Sequence, residues 1–145
     1  EDAVGKMIRD PNASVALSDA GAHLTFFCDA GFGLHLMGHW ARDLGTLTLP
    51  EAIHELTAKP AAIYRIPKRG KIEVGYYADL LLFDPATVAR GVKRRIHDLP
   101  GGEARLTTDA VGVHGTWVNG VQVTNQNGLI EGDQRPGQLL REFDT

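Results

Sequence analysis

Apolar residues change their rhythm about halfway along this chain. Ser14-Val15-Ala16-Leu17 is short, apolar and bounded by turn residues, which predicts a buried strand. It leads into Ser18-Asp19-Ala20-Gly21-Ala22-His23, a loop of small and polar residues. From about Gly33 to Leu44, the positions Leu34, Met37, Ala41 and Leu44 recur at helical spacing. A second helix has a defined start. Thr48 can cap it, Pro50 suits the first turn, and Glu51 stands three residues after Thr48, as a capping box requires. Leu49, Ile53 and Leu56 continue its apolar face to Lys59-Pro60, and Ala61 to Tyr64 predicts one more helical turn.

From Gly70 the pattern is that of strands and turns. Lys71-Ile72-Glu73-Val74 alternates, and Ala78-Asp79-Leu80-Leu81-Leu82-Phe83 predicts a buried strand stopped by Asp84-Pro85. Residues 86–109 are charged and contain Gly and Pro, and are expected to form a long surface excursion. Val111 to Val118 then meets Asn119-Gly120, a strong hairpin signal, and Val121-Gln122-Val123 returns. The polar tail from Gly128 offers a last helical turn at Gln138 to Arg141. The expected order is strand, polar loop, helices, then a small β module. One parallel-type strand with two helices closes no sheet, so the architecture reads as cut from something larger, and the first residue, Glu1 rather than Met, agrees.

Composition narrows the function classes. With 43% hydrophobic and 23% charged residues, the chain has the balance of a soluble globular protein. A net charge of −3 and the absence of any basic stripe argue against a nucleic-acid or membrane partner. No apolar stretch approaches the roughly 20 residues of a membrane span. Cys28 is the single cysteine, which excludes an internal disulfide and favours a reducing, cytoplasmic setting.

Asp19 is the foremost chemical candidate. A carboxylate just beyond a buried strand, followed by Ala-Gly-Ala, lies where α/β enzymes place catalytic groups, and Gly21 lets a substrate or metal approach the backbone. The competing reading is a capping or loop-bracing aspartate. His23 could position a substrate oxygen or serve as a backbone-bonded loop histidine. His35 and His39 stand at i and i+4, the spacing of a two-histidine metal pair, but Leu36 replaces the glutamate of the metalloprotease motif, which favours a packed face beside Trp40. Ser18 lacks the glycine of a nucleophile elbow, and Gly31-Phe32-Gly33 lacks the third glycine of a dinucleotide fingerprint. Cys28, near Phe26 and Phe27, reads as packing. Asp79 and Asp84 are expected to fix turns, and Lys93-Arg94-Arg95 to be solvated.

Five segments, in order, resemble the amidohydrolase superfamily and, more narrowly, its D-aminoacylase-like group of N-acyl-D-amino-acid deacylases. They are Val15 to His23, Leu56-Thr57-Ala58-Lys59-Pro60-Ala61-Ala62, Gly70 to Leu80 with its "G.I..G..ADL" pattern, His97-Asp98-Leu99-Pro100-Gly101-Gly102, and Thr116-Trp117-Val118-Asn119-Gly120. The resemblance implies an α/β fold: the C-terminal fragment of a (β/α)8 TIM barrel, with its last strand and helices in residues 1–66, and part of a composite β-sandwich in residues 67–145. A whole barrel takes about 250 residues. It further implies a divalent metal, most often one or two zinc ions, that activates a water. Asp19 would contact that metal or its water and act as general acid and base on a small-molecule amide. His23 and Gly21 would face the substrate, and the remaining metal ligands would lie outside this chain. The chain alone is then expected to be inactive, needing the rest of the enzyme or a further copy, and to self-associate if it folds alone. The His-Pro-Arg stretch of the better-known D-aminoacylases does not follow Asp19 here. Another amidohydrolase, such as a cyclic-amide hydrolase or deaminase, and a non-catalytic binding or assembly relative remain as alternatives.

Overall fold

The computed structural model describes residues 1–22, 24–26 and 28–143. Its elements are α1 (Asp2–Ile8), α2 (Phe32–His35), which continues as a π-helix (Leu36–Asp43), α3 (Leu49–Leu56), α4 (Ala58–Ile63), and eight strands. The strands are β1 (Leu80–Phe83), β2 (Ala89–Arg90), β3 (Arg94–Ile96), β4 (Arg105–Thr107), β5 (Ala110–Val111), β6 (Val113–Val118), β7 (Val121–Asn125) and β8 (Gly128–Leu129).

The helical signals hold where local chemistry sets them. Thr48 accepts the Glu51 N–H at 3.4 Å, while the Glu51 carboxylate accepts the Thr48 N–H at 2.7 Å, so the capping box closes as expected. The helix expected from Gly33 is present but widens after one turn into π geometry, with the Leu44 N–H bonding the His39 carbonyl at 2.9 Å. Widening turns the apolar face, so Leu36, Met37, Trp40 and Ala41 are buried while Leu44, expected on that face, is exposed. α1, in the polar opening, carries no sequence signal strong enough to announce it.

One apolar cluster holds the chain together. Leu36, Met37, Trp40, Ala41, Leu47, Ala52 and Val88 are buried in it, with Ile8, Val15, Ile53, Leu56 and Phe83 packed around. Val88 comes from the far side of the sequence and is fully buried. Its carbonyl accepts Arg42 Nη1 at 2.6 Å, which pins that segment onto the π-helix. Gly38 makes the close approach possible, since a Cβ there would stand 2.4 Å from the Val88 oxygen.

The β half is a four-stranded antiparallel sheet, ordered β1-β6-β7-β8, with two small ladders, β2-β5 and β3-β4. Asn119 (φ 50°) and Gly120 (φ 81°) form the turn between β6 and β7 that their sequence announces. Beside it lies a polar latch. Asp79 Oδ1 accepts the Asn119 N–H at 2.8 Å, its other oxygen pairs with Arg69, and Arg69 Nη2 donates to Asn119 Oδ1 at 3.0 Å. The Arg69 guanidinium also lies 4.3 Å from the Tyr77 ring centre.

Five expectations need correction. Ser14 to Leu17 is not a strand: no described strand pairs with it, and Leu17 is 84% exposed with φ 64°. Lys71 to Val74 likewise forms no ladder, and Ile72 and Val74 lie open to solvent. β1 does form, but as an edge strand with Leu80, Leu81 and Leu82 all exposed, because no described layer covers either face. Residues 86–109 are more than a surface excursion, since they carry β2, β3 and β4, and Gln138 to Arg141 is not helical.

Candidate functional site

Asp19 sits in a tight bend. Leu17, Asp19 and Gly21 all have positive φ, at 64°, 51° and 93°. Asp tolerates the left-handed region because its short polar side chain can bond locally, and glycine does so freely, but leucine is strained there. The bend is closed by the Ala22 N–H on the Asp19 carbonyl (3.2 Å) and the Ala20 N–H on Ser18 Oγ (3.1 Å). The Asp19 side chain is exposed, and no described residue lies within 4 Å of where a Gly21 side chain would begin. One turn therefore presents a carboxylate beside open backbone. His23, the third residue singled out in this loop, lies outside the described residues.

Downstream of the bend, the loop is clasped by the β2–β4 segment. The Leu24 carbonyl accepts the Leu106 N–H at 2.8 Å, and the Thr25 carbonyl accepts Arg95 Nη2 at 2.9 Å. Asp29 Oδ1 meets both Arg90 Nη1 and Lys93 Nζ at 2.9 Å. The Lys93 hydrogen bond, followed by the charges of Lys93, Arg90 and His35 against the opposing effect of burial, holds the Asp29 carboxyl below its ordinary value. Burial, with help from Arg90 and His39, lowers His35.

Lys93-Arg94-Arg95, expected to be plainly solvated, thus divides its work. Arg94 is an exposed partner of Asp109, whereas Lys93 and Arg95 hold the Asp19 loop. The sequence offers no sign of this, because Arg95 and Thr25 are 70 positions apart and Arg90 and Asp29 are 61 apart. Asp84 fixes a turn, as expected. It accepts the Ala86 N–H and the Thr87 hydroxyl at 2.8 and 2.9 Å, and these bonds lower its pKa. Cys28 is buried.

His35 and His39 stack at 4.7 Å between ring centres, and the Trp40 ring meets His39 edge-on at 5.5 Å. His39 Nε2 bonds Glu1 at 3.2 Å. Among the described residues, no three His, Cys, Asp or Glu side chains converge as a metal site would require. The apolar groove between β7 and the tail, lined by Val121, Val123, Leu129 and Ile130, shares no residue with the Asp19 loop.

A carboxylate on a strained bend, a helical run after it and an antiparallel module clasping its loop make up this segment of α and β structure. Residues 2–124 match the amidohydrolase family, and the chain belongs to it. Within that family the chain is 40% identical over 104 residues to N-acyl-D-aspartate deacylase and 37% identical over 105 residues to D-aminoacylase, both from Alcaligenes xylosoxydans xylosoxydans. Each match covers 72% of this chain and 19% of the relative, so the chain spans about a fifth of their length. Among solved structures it is similar to N-acyl-D-glutamate deacylase from Bordetella bronchiseptica, crystallised with zinc and a phosphonate mimic of the tetrahedral intermediate. That match has a TM-score of 0.62 and 36% identity, over 77% of this chain and 21% of the other. D-aminoacylase, described as having a binuclear metal centre, superposes with a TM-score of 0.54 at 31% identity, over 68% of this chain and 19% of the other.

Proposed function

We propose that this chain is the C-terminal part of a metal-dependent hydrolase that cleaves the amide of an N-acyl-D-amino acid. In this reading residues 1–66 complete a (β/α)8 barrel, with Ser14 to Leu17 pairing as its last strand only beside barrel strands outside this chain, and residues 67–145 contribute to a β-sandwich. Support comes from family membership over residues 2–124, together with deacylase relatives on both sequence and structural comparison.

Asp19 carries the chemistry of this segment. Its carboxylate accepts a proton from the attacking water and returns it to the departing amine nitrogen, which would otherwise leave as an unstable amide anion. Gly21 keeps the approach open, and His23 contacts the substrate. The related deacylases hold zinc or a binuclear centre. The described residues of this chain do not fit such an ion by themselves, since no three His, Cys, Asp or Glu side chains among them converge. The other ligands belong to parts of the enzyme outside these residues, and the 145-residue chain alone is inactive. A cytoplasmic setting accords with the single, buried Cys28.

The observation carrying this proposal is the amidohydrolase-family match over residues 2–124, a span that includes the Asp19 bend. Its test is an assay of the complete enzyme against N-acyl-D-aspartate, N-acyl-D-glutamate and neutral N-acyl-D-amino acids. Asp19→Asn should lower kcat by about 100- to 10,000-fold, the range of general acid–base catalysis. Wild-type turnover in that variant would remove Asp19 from the mechanism, and hydrolysis of cyclic amides alone would replace the substrate class.

A further inference from the structure

Ser14 to Leu17 forms no ladder, and Asp19 is exposed. Among the described residues, the bend at Asp19 leads into no helix or strand before Phe32. What fixes the loop between them comes from another part of the chain. Leu106 and Arg95 hold the Leu24 and Thr25 carbonyls, and Arg90 and Lys93 converge on Asp29. Asp29 is the anchor on the loop side, because one carboxylate gathers two cations. Arg90 lies half-buried across Gly31, so tightly that a Cβ at Gly31 would stand 2.5 Å from Arg90 Cγ.

We propose that Asp29, gripped by Arg90 and Lys93, is a positioning residue that sets where the loop presents Asp19 to the substrate. This rests on the assignment of Asp19 to proton transfer. Asp29 does not touch the reacting atoms. It acts by stopping the loop from swinging, and small displacements of a catalytic group are costly in rate. The clasp has a direct physical consequence: the covering ladder and the loop must move together or not at all.

The experiment uses the complete enzyme with two readouts. Amide hydrogen exchange reports on residues 18–26, and steady-state kinetics on the reaction. Asp29→Asn retains size and one acceptor but removes the charge holding both cations. It should speed exchange in residues 18–26 by about three- to tenfold, leave α3 unchanged, and lower kcat more than it changes KM. Arg90→Met should do the same, Arg90→Lys should keep most of wild-type kcat, and the Asp29→Asn/Arg90→Met double variant should be no worse than either single one. Arg94→Gln, whose partner Asp109 lies off the loop, serves as the control and should leave exchange in residues 18–26 unchanged.

Unchanged exchange in residues 18–26 in Asp29→Asn would overturn the clasp, and faster exchange spread equally over α2 and α3 would reduce it to general stability. Local loosening with wild-type kcat, in an enzyme that Asp19→Asn inactivates, would refute the positioning role alone. If Asp19→Asn itself stays active, it is the assignment of Asp19 that fails.

Discussion

Replacing Gly38 by alanine sets two physical effects against each other. Alanine is the better helix former by about 1 kcal/mol, so propensity alone favours the variant. The new methyl, however, would stand 2.4 Å from the Val88 carbonyl oxygen and 3.2 Å from the Ala89 Cα. The first distance is roughly 1 Å inside ordinary non-bonded contact, and both neighbours are backbone that cannot rotate away. Moving Val88 would withdraw a fully buried side chain and stretch the 2.6 Å bond from Arg42. Overpacking of this kind costs about 1–3 kcal/mol, which exceeds the propensity gain through most of its range. Gly38→Ala should therefore be net destabilising, by up to about 2 kcal/mol. Gly33→Ala, in the same helical run, would meet only Leu56 methyl groups at 3.5 and 3.6 Å and should stabilise by up to about 1 kcal/mol. Urea denaturation followed by far-ultraviolet circular dichroism measures both. A Gly38→Ala protein as stable as wild type would mean that the π-helix does not pack on Val88 as described.

Further outcomes follow from other sites. Thr48→Ala removes the cap from α3 and should cost about 1 kcal/mol in the same denaturation experiment. Leu36→Ala empties the centre of the core and should cost about 2–5 kcal/mol. His35 has its folded-state pKa pressed below the ordinary value, so below that value the unfolded chain binds the proton more readily than the folded one. Its contribution is intact above pH ~6.5 and declines as pH falls towards the lower folded-state pKa. Replacing His35 by Gln should flatten this part of the stability–pH curve, and an unchanged slope would count against it. The 145-residue chain by itself should hold no zinc through dialysis; a tightly bound ion lost in Asp19→Asn would contradict the single-ligand assignment.

Features encoded by neighbours in sequence were the legible ones. Thr48 and Glu51 announce α3, and Asn119-Gly120 announces the hairpin, because cap and turn are decided within a few residues. Val15 to Leu17 misleads: an apolar run states a demand for burial but does not supply the strands that would meet it. The widening at Leu36 is invisible for a related reason, since a 3.6-residue rhythm and a π turn differ by one hydrogen-bond step. Asp19 could be singled out by its small-residue surroundings. The clasp on its loop could not, because Asp29 and Arg90 share no pattern and meet only once β2 folds against α2.

β1 carries one more consequence, for handling this chain by itself. Leu80-Leu81-Leu82-Phe83 is an open edge of four uncharged, strongly apolar residues, uncovered over most of both faces. Such a strand is a template on which other chains can add their own. Asp79 and Asp84 bracket it as charged gatekeepers, but Asp79 is already committed to Arg69 and Asn119, which leaves one end of the strand weakly guarded. Expressed by itself, this chain should enter inclusion bodies from this edge, and Leu81→Lys should recover more of it in the soluble fraction than Leu139→Lys at exposed Leu139.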